Sequence, residues 1–160
     1  MGSVLYIVIP CYKEQEVLHE TASRLKKKME ALILGGTISP KSRVLFVNDG
    51  STDNTWQIIS DLHKENPLFS GVNLSRNRGH QNALLAGLMI AKEKANMVIS
   101  MDADLQDDIN AVDKMIEKFY AGCDIVYGVR SQREKDSLFQ AFYRRELLPR
   151  DERFRCGNRV

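Results

Sequence analysis

The chain has 160 residues, of which 43% are hydrophobic and 28% charged, which suits one globular domain with a substantial core. Its net charge of +2 excludes a strongly basic composition, so we expect no nucleic-acid partner. There is no secretory signal pattern, and no apolar run approaches the roughly 18 residues of a membrane span, which predicts a cytoplasmic protein. Three cysteines without metal-ligand spacing favour a reducing compartment, with Cys11 and Cys123 as buried thiols.

Apolar runs and helical periodicity alternate along most of the chain. The predicted strands cover residues 4–10, 44–47, 69–74, 97–101 and 124–127, and the predicted helices cover 16–34, 56–63, 82–94 and 109–121. This alternation predicts right-handed βαβ units, and therefore an α/β fold with a mostly parallel sheet. One more helix is predicted within residues 130–148, and residues 149–160 show no periodicity, which predicts an unstructured end.

Polar residues cluster where three predicted strands end. CYKE (11–14) follows the first strand, NDGSTD (48–53) the second and DADLQDD (102–108) the fourth. Because ligands bind beyond the carboxyl ends of the strands in an open parallel sheet, the three clusters predict one site at that edge.

The acidic cluster predicts a divalent cation. Asp102 and Asp104 are two residues apart and share a face of a continuing strand, where Gln106 joins them. Neighbouring carboxylates repel, and Mg²⁺ or Mn²⁺ supplies the compensating charge through oxygen ligands. The alternative is an acidic loop before a helix, which is the interpretation we favour for Asp107 and Asp108. A calcium loop is excluded because Asp107 stands where that loop needs glycine.

The other two polar segments favour a nucleotide. Asp49 in NDGSTD is a candidate acceptor for a nucleobase imide, although a plain strand-to-helix turn explains the segment equally well. SRNRGHQ offers Arg76, Arg78 and His80 as phosphate contacts, with Gly79 leaving room for the ligand. The chain lacks GxxxxGK[ST], and no GxGxxG follows the first strand, which argues against a P-loop ATPase and a Rossmann dehydrogenase.

Five segments in order resemble the motifs of family 2 glycosyltransferases. They are IPCYKE, VLFVNDGSTDNTW, LSRNRGHQNALLAG, VISMDADLQDD and DIVYGVR. The resemblance as a whole covers Val4 to about Arg130. The five segments are most similar to the polyprenyl-phosphate sugar transferases, which include dolichyl-phosphate mannose synthases and bactoprenol glucosyltransferases. The resemblance implies the GT-A nucleotide-diphospho-sugar transferase fold, with helices on both faces of the sheet. It also implies inverting transfer from a UDP- or GDP-sugar with Mg²⁺ or Mn²⁺.

The resemblance also implies roles for single residues. A nucleoside pocket is implied for four of them: Pro10, Tyr12, Glu14 and Val47. Asp49 contacts the base, Arg130 faces the diphosphate, and Gly79 belongs to the cofactor-binding set. Asp104 is the implied main metal ligand, and Asp102 holds the ribose or the metal, so these two are the candidate catalytic residues. The remaining two implied contacts are Ala103, which lets the chain approach the nucleotide, and Gln106, which completes the metal shell.

The resemblance divides the chain into residues 1–130, a nucleotide-sugar-binding domain, and 131–160, a basic, partly disordered acceptor-side remnant. From Arg130 to Val160 there are nine Lys and Arg against five Asp and Glu. This excess predicts either a solvated end, which is the interpretation we favour, or contact with an anionic membrane surface or phosphate groups. Nothing after Tyr143 resembles the acceptor-side segment or transmembrane helices of bacterial relatives, which predicts a truncated chain. Self-association is expected to cover the apolar surface left exposed.

Three functions follow from these patterns. The first is sugar transfer to a polyprenyl phosphate or another membrane-associated acceptor. The second is a truncated domain that binds nucleotide and metal without transfer. The third is an unrelated nucleotide-binding domain such as a nucleotidyltransferase, against which the ordered match to five motifs argues.

Overall fold

The computed structural model describes residues 2–104 and 108–128, together with the backbone of residues 154–157. The chain divides between Ile109 and Asn110 into two compact units. The predicted domain boundary at residue 130 lies at the margin of the described residues, so it stays a prediction.

The first unit is built on four parallel strands connected by helices. Its seven elements, in chain order, are β1 (Leu5–Cys11), α1 (Leu18–Leu34), β2 (Arg43–Asn48), α2 (Thr55–Glu65), β3 (Phe69–Asn73), α3 (His80–Ala91) and β4 (Met97–Ser100). All seven coincide with predicted elements to within a few residues. The strand order across the sheet is β3-β2-β1-β4, so the predicted α/β fold with a parallel sheet is confirmed.

Strand β1 lies in the interior of the sheet, between β2 and β4. Its Ile7 pairs with Val44 on one side and with Ile99 on the other. Every residue of β1 is buried except Tyr6, which is half-buried. A strand covered on both faces has no solvent side, which explains why its sequence is continuously apolar and does not alternate.

The order of the strands reverses at β1. Strands β2 and β3 lie on one side of it, whereas the chain crosses over to place β4 on the other side. Such a reversal leaves a crevice between the carboxyl ends of the two strands that flank it, and ligands of open α/β sheets bind there. The segments that follow β1 and β4 therefore border this crevice.

Helix α3 packs closely on one face of the sheet. A Cβ atom at Gly87 would overlap the side chain of Val8 and lie 2.8 Å from Cγ2 of Val47, so only glycine allows this approach. Ala83 and Ala91, at either end of the same helix face, are fully buried in this cluster. The small residues therefore fix α3 against β1 and β2, and with it the position of its N-terminus.

The second unit contains α4 (Ala111–Tyr120), β5 (Ile125–Gly128) and β6 (Phe154–Gly157). Strand β5 pairs antiparallel with β6, so it belongs to a separate two-stranded sheet. The prediction of an unstructured end is wrong for Phe154–Gly157. A four-residue strand paired with residues distant in the chain leaves no periodic signal, because strand formation depends on its partner. The additional helix predicted within residues 130–148 lies outside the described residues.

The cysteines differ from the prediction in one respect. Cys11 is a buried free thiol, as expected, whereas Cys123 is disulfide-bonded. An odd number of cysteines does not show which of them pair, so the sequence could not reveal this bond. Within the part of the chain that the structure describes, no helix is both long enough and apolar enough to cross a bilayer.

Candidate functional site

The site lies where β1, β2 and β4 end. The last residue of β1, Cys11, is opposite the last residue of β2, Asn48. On the other side of β1, Val8 pairs with Ser100, the last residue of β4. The backbone N–H of Met101 then donates to the carbonyl of Val8 at 3.1 Å. The polar segments after the three strands therefore leave the sheet at one edge, as the sequence predicts.

The acidic pair flanks a buried alanine. Ala103 is only 4% exposed, whereas Asp102 and Asp104 on either side are both exposed. The hydroxyl Oγ1 of Thr21, on α1, donates to the carbonyl oxygen of Ala103 at 2.7 Å. The methyl group of Ala103 therefore faces the protein while both neighbouring carboxylates face solvent.

Negative charge accumulates in the crevice. Burial raises the pKa of the Glu14 carboxyl above its ordinary value, and the negative charges of Asp104, Asp53 and Asp102 raise it further, in that order. Because like charges disfavour ionisation, the shift shows that carboxylates from three segments act on one another. A bound cation would offset this repulsion.

The donor set fits a divalent cation that shares its ligands with a phosphorylated molecule. Mg²⁺ is commonly bound by one or two carboxylates plus substrate phosphates and water, and two exposed carboxylates are available in Asp102 and Asp104. Among the described residues, no group of three or more His, Cys, Asp or Glu side chains is arranged to hold a metal alone. Gln106, the third predicted ligand, lies outside the described residues.

The turns after β1 and β2 are tied together by side chains. The N–H of Lys13 donates to Oγ of Ser51 at 3.0 Å, and the N–H of Glu14 donates to Oγ1 of Thr55 at 2.9 Å. Lys13 has a φ of +59°, in the left-handed region, and its Nζ lies 5.4 Å from the ring centroid of Tyr12. These bonds fix the backbone that presents Tyr12 and Glu14.

The four residues predicted to line a nucleoside pocket differ in accessibility. Tyr12 is 42% exposed and Glu14 is half-buried. Pro10 and Val47 are buried, and Val47 packs in the cluster beneath α3. Only Tyr12 and Glu14 therefore offer substantial surface to a ligand, and the nucleoside role of all four stays a prediction.

Asp49 is a buried carboxylate that holds a loop in place. It is 2% exposed, its Oδ1 accepts the backbone N–H of Arg78 at 2.7 Å, and its Oδ2 accepts that of Gly79 at 2.8 Å. Next to it, Gly50 has a φ of +62°, and a Cβ there would lie 2.5 Å from the backbone N of Asn77. Two hydrogen bonds from backbone N–H groups and one close backbone approach therefore hold this loop at the end of β2.

The predicted contact between Asp49 and a nucleobase is not tested by this geometry. Both carboxylate oxygens already accept a hydrogen bond, but each oxygen has a second lone pair that is able to accept another donor. Asp49 therefore combines an observed role in holding the loop with a base contact that stays a prediction.

Helix α3 brings positive charge and open space to the crevice. Its N-cap is Gly79, with a φ of +86°, and a Cβ atom at this residue would meet nothing within 4 Å. The ligand contact predicted for Gly79 stays a prediction. Nε2 of His80 lies 3.7 Å from Oδ1 of Asp102, and Arg76 and Arg78 are exposed in the preceding loop. A helix N-terminus carries partial positive charge, which favours anions such as phosphate.

Sequence reasoning missed one residue of this site, and two of the residues that it predicted lie outside the described part of the chain. Thr21 was not singled out, although a polar residue on the buried face of an amphipathic helix is a usable signal. Arg130 and Gln106 lie outside the described residues, so their predicted roles are not examined by the structure.

The acidic pair and the N-terminus of α3 both lie where the strand order of the parallel sheet reverses. This arrangement is typical of α/β domains that bind a phosphorylated ligand together with a divalent cation. The sequence pattern of glycosyl transferase family 2 matches residues 6–159, nearly the whole chain. The chain belongs to glycosyl transferase family 2.

Two relatives illustrate the similarity in sequence. The chain is 46% identical over 146 residues to the glycosyltransferase YkoT of Bacillus subtilis, covering 88% of this chain and 43% of YkoT. It is 36% identical over 131 residues to the bactoprenol glucosyl transferase of Shigella phage SfV, covering 81% of this chain and 40% of that protein. The chain therefore spans less than half the length of these relatives.

Two solved structures share the fold. The mannosyltransferase PcManGT of Pyrobaculum calidifontis, solved with GDP-Man and Mn²⁺, has a TM-score of 0.66 at 18% identity, covering 82% of this chain and 36% of PcManGT. Residues 1–349 of TarS from S. aureus, solved with UDP, have a TM-score of 0.55 at 20% identity, covering 86% of this chain and 39% of TarS. These likenesses confirm the GT-A fold that the motif resemblance implies.

Proposed function

We propose that this chain forms the donor-binding part of an inverting glycosyltransferase that uses a UDP- or GDP-sugar. The observation that carries the proposal is the exposed pair Asp102 and Asp104, held on either side of buried Ala103 in the crevice of a family 2 domain. The structural neighbours solved with GDP-Man and Mn²⁺, and with UDP, support a nucleotide-sugar donor and a divalent cation.

The two sides of the crevice then bind different parts of the donor. Asp102 and Asp104 would hold the cation that neutralises the diphosphate, and the N-terminus of α3 with Arg76 and Arg78 would add positive charge for it. The nucleoside lies against Tyr12 and Glu14, with Asp49 accepting a hydrogen bond from the base. The motif resemblance also assigns Pro10 and Val47 to the nucleoside pocket and Arg130 to the diphosphate. In this arrangement the diphosphate is bound by charge, and the nucleoside is bound by the shape of the pocket.

The reaction breaks the bond between the anomeric carbon and the donor diphosphate, and the electron pair leaves with the diphosphate. An acceptor oxygen forms the new bond from the opposite face, so the anomeric configuration inverts. A divalent cation bound by Asp104 and Asp102, with Gln106 completing its shell, would stabilise the negative charge of the departing diphosphate.

For the acceptor we propose a polyprenyl phosphate, or another acceptor at the membrane. The support is the similarity to a relative named bactoprenol glucosyl transferase. A phosphate monoester is already ionised near neutral pH, because its second pKa is about 6. Its oxygen is therefore nucleophilic without a strong general base. The excess of Lys and Arg after residue 130 favours peripheral attachment to anionic lipid.

Thermal unfolding tests the donor. UDP, GDP and a panel of their sugars are each added with Mn²⁺ and, separately, with a chelator. A ligand at about 100 times its dissociation constant stabilises the folded state by roughly 2.7 kcal/mol, which raises the midpoint by about 5–10 °C for a chain of this size. We expect one nucleotide to give a shift that the chelator abolishes. No shift with any nucleotide would contradict the proposal.

A second experiment separates transfer from binding. Sugar-labelled donor is incubated with vesicles that contain undecaprenyl phosphate, and label is measured in the lipid extract. The proposed transferase produces labelled lipid in the presence of Mn²⁺. Nucleotide binding without labelled lipid would favour the alternative function, a domain that binds nucleotide and metal without transfer.

A further inference from the structure

A threonine on α1 is bonded to the backbone between the two acidic residues. Oγ1 of Thr21 donates to the carbonyl oxygen of Ala103 at 2.7 Å, and it also lies 3.1 Å from the carbonyl oxygen of Val17. The hydroxyl has one proton, and the shorter distance indicates that Ala103 receives the stronger bond. Thr21 is 1% exposed, so water does not compete for this contact.

The bond fixes the peptide that joins Ala103 to Asp104. A peptide unit is planar, so holding its carbonyl oxygen also sets the direction in which the chain enters Asp104. The methyl group of Ala103, which is 4% exposed, provides a second anchor beside the first. We propose that Thr21 is a positioning residue for the acidic pair, whose hydroxyl sets the directions of the Asp102 and Asp104 carboxylates. The pair's role as a cation site comes from the proposed function, on which this inference rests.

The bond from Thr21 lies beyond the last residue of the neighbouring strand. Strand β4 ends at Ser100, and after it the N–H of Met101 still donates to Val8. Beyond the sheet, α1 supplies an anchor for this segment, and its own Leu18 and Leu25 are buried in the core. A binding site requires its ligand groups to be held within about 0.5 Å, and the hydrogen bond from Thr21 contributes to that precision.

Replacement of the hydroxyl alone tests the inference. Thr21→Val keeps the shape of the side chain and removes the donor, whereas Thr21→Ser keeps the donor. The readout is free Mn²⁺, measured by electron paramagnetic resonance during titration in the presence of UDP or GDP. Loss of a supporting contact around a metal site typically weakens metal affinity 10- to 100-fold, and we expect about tenfold for Thr21→Val. Thr21→Ser is expected to bind Mn²⁺ nearly as well as the wild type.

Ser42→Ala is the matched control. Ser42 is fully buried and its Oγ accepts the N–H of Leu5 at 3.0 Å, at the opposite end of the strands from the site. This variant also loses a buried hydroxyl bonded to the backbone, so it lowers stability without touching the acidic pair. Equal loss of Mn²⁺ affinity in Ser42→Ala and Thr21→Val would attribute the effect to general destabilisation and overturn the inference.

The remaining outcomes separate this inference from the proposed function. If the wild type binds Mn²⁺ with nucleotide and Thr21→Val binds it equally well, the positioning role is wrong and the donor site stands. If the wild type shows no nucleotide-dependent Mn²⁺ binding, the proposed function itself fails. All titrations are performed below the unfolding midpoints of the variants, and Thr21→Ala provides a second hydroxyl-free variant should Thr21→Val not fold.

Discussion

The buried carboxylate of Asp49 gives the most specific prediction about this site. Its two oxygens accept the backbone N–H groups of Arg78 and Gly79. In Asp49→Asn, one oxygen is replaced by an NH₂ group, which is itself a donor and faces a backbone donor. Gly79 retains a second acceptor, because its N–H also donates to Oδ1 of Asn77 at 3.0 Å. We therefore expect the new amide to keep its oxygen on the Arg78 N–H.

The expected cost is the loss of one hydrogen bond to a charged acceptor. Such bonds contribute about 1.5–3 kcal/mol to stability, so Asp49→Asn is expected to lose about 2 kcal/mol. For a chain of this length, that loss lowers the unfolding midpoint by roughly 4–8 °C. The loop that carries Arg76 and Arg78 is less firmly held, so nucleotide affinity should fall as well.

Thermal unfolding followed by circular dichroism measures this loss. Asp61→Asn is the control, because the side chain of Asp61 on α2 is 49% exposed and its carboxylate bonds to the exposed side chains of Gln57 and Lys64. Its midpoint is expected to remain close to that of the wild type. If Asp49→Asn unfolds at the same temperature as Asp61→Asn, the two hydrogen bonds from the backbone N–H groups do not hold the loop, and the reasoning is refuted.

Three further predictions concern the turns around the crevice. Lys13→Asn is expected to stabilise the fold by about 0.5 kcal/mol in urea denaturation, because asparagine tolerates the left-handed backbone at this position better than lysine does. Gly36→Ala is expected to lower the free energy of unfolding by roughly 1–2 kcal/mol, because Gly36 has a positive φ. Gly50→Ala is expected to lower it by considerably more, because Gly50 also has a positive φ and a Cβ there would overlap the backbone of Arg76. Burial and then nearby aspartates raise the pKa of Glu14, so its contribution to stability is present at low pH and is lost as pH rises through the raised value. Glu14→Gln should therefore unfold at a higher temperature than the wild type at pH 7 and lose this advantage below the ordinary value of 4.5.

Each of these predictions has a contradicting result. A destabilised Lys13→Asn would show that the cation near the Tyr12 ring matters more than backbone conformation. Equal costs for the two alanine variants would mean that the loop moves away from Gly50 freely. A difference between Glu14→Gln and the wild type that does not change with pH would show that the side chain acts by shape and not by charge.

The parallel sheet could be predicted because its signals are local. A strand such as β1, buried on both faces, has a continuous apolar run, and α1 has apolar residues at helical spacing. Strand β6 has neither signal, because its pairing with β5 joins residues about 30 positions apart. The disulfide at Cys123 was missed for the same reason, since partner choice depends on the fold.

The same distinction applies to the site. Asp102, Asp104 and Asp49 were identified as candidates because carboxylates at strand ends are unusual, and residue type alone shows that. The bonds that hold them could not be predicted. Thr21 reaches Ala103 across 82 residues of sequence, and Asp49 bonds to a loop that begins beyond the next strand. Such contacts follow from strand order and helix placement, which a single sequence does not specify.

The central claim is that Asp104 holds a divalent cation that a nucleotide diphosphate shares. Isothermal titration with UDP and with GDP, each with Mn²⁺ and with chelator, tests it in the wild type, in Asp104→Ala and in Asp108→Ala. Asp108 is the matched control, because it is an exposed aspartate that the sequence assigns to the start of a helix. We expect metal-dependent binding in the wild type and in Asp108→Ala, and its loss in Asp104→Ala. Metal-dependent nucleotide binding that survives in Asp104→Ala would contradict the account.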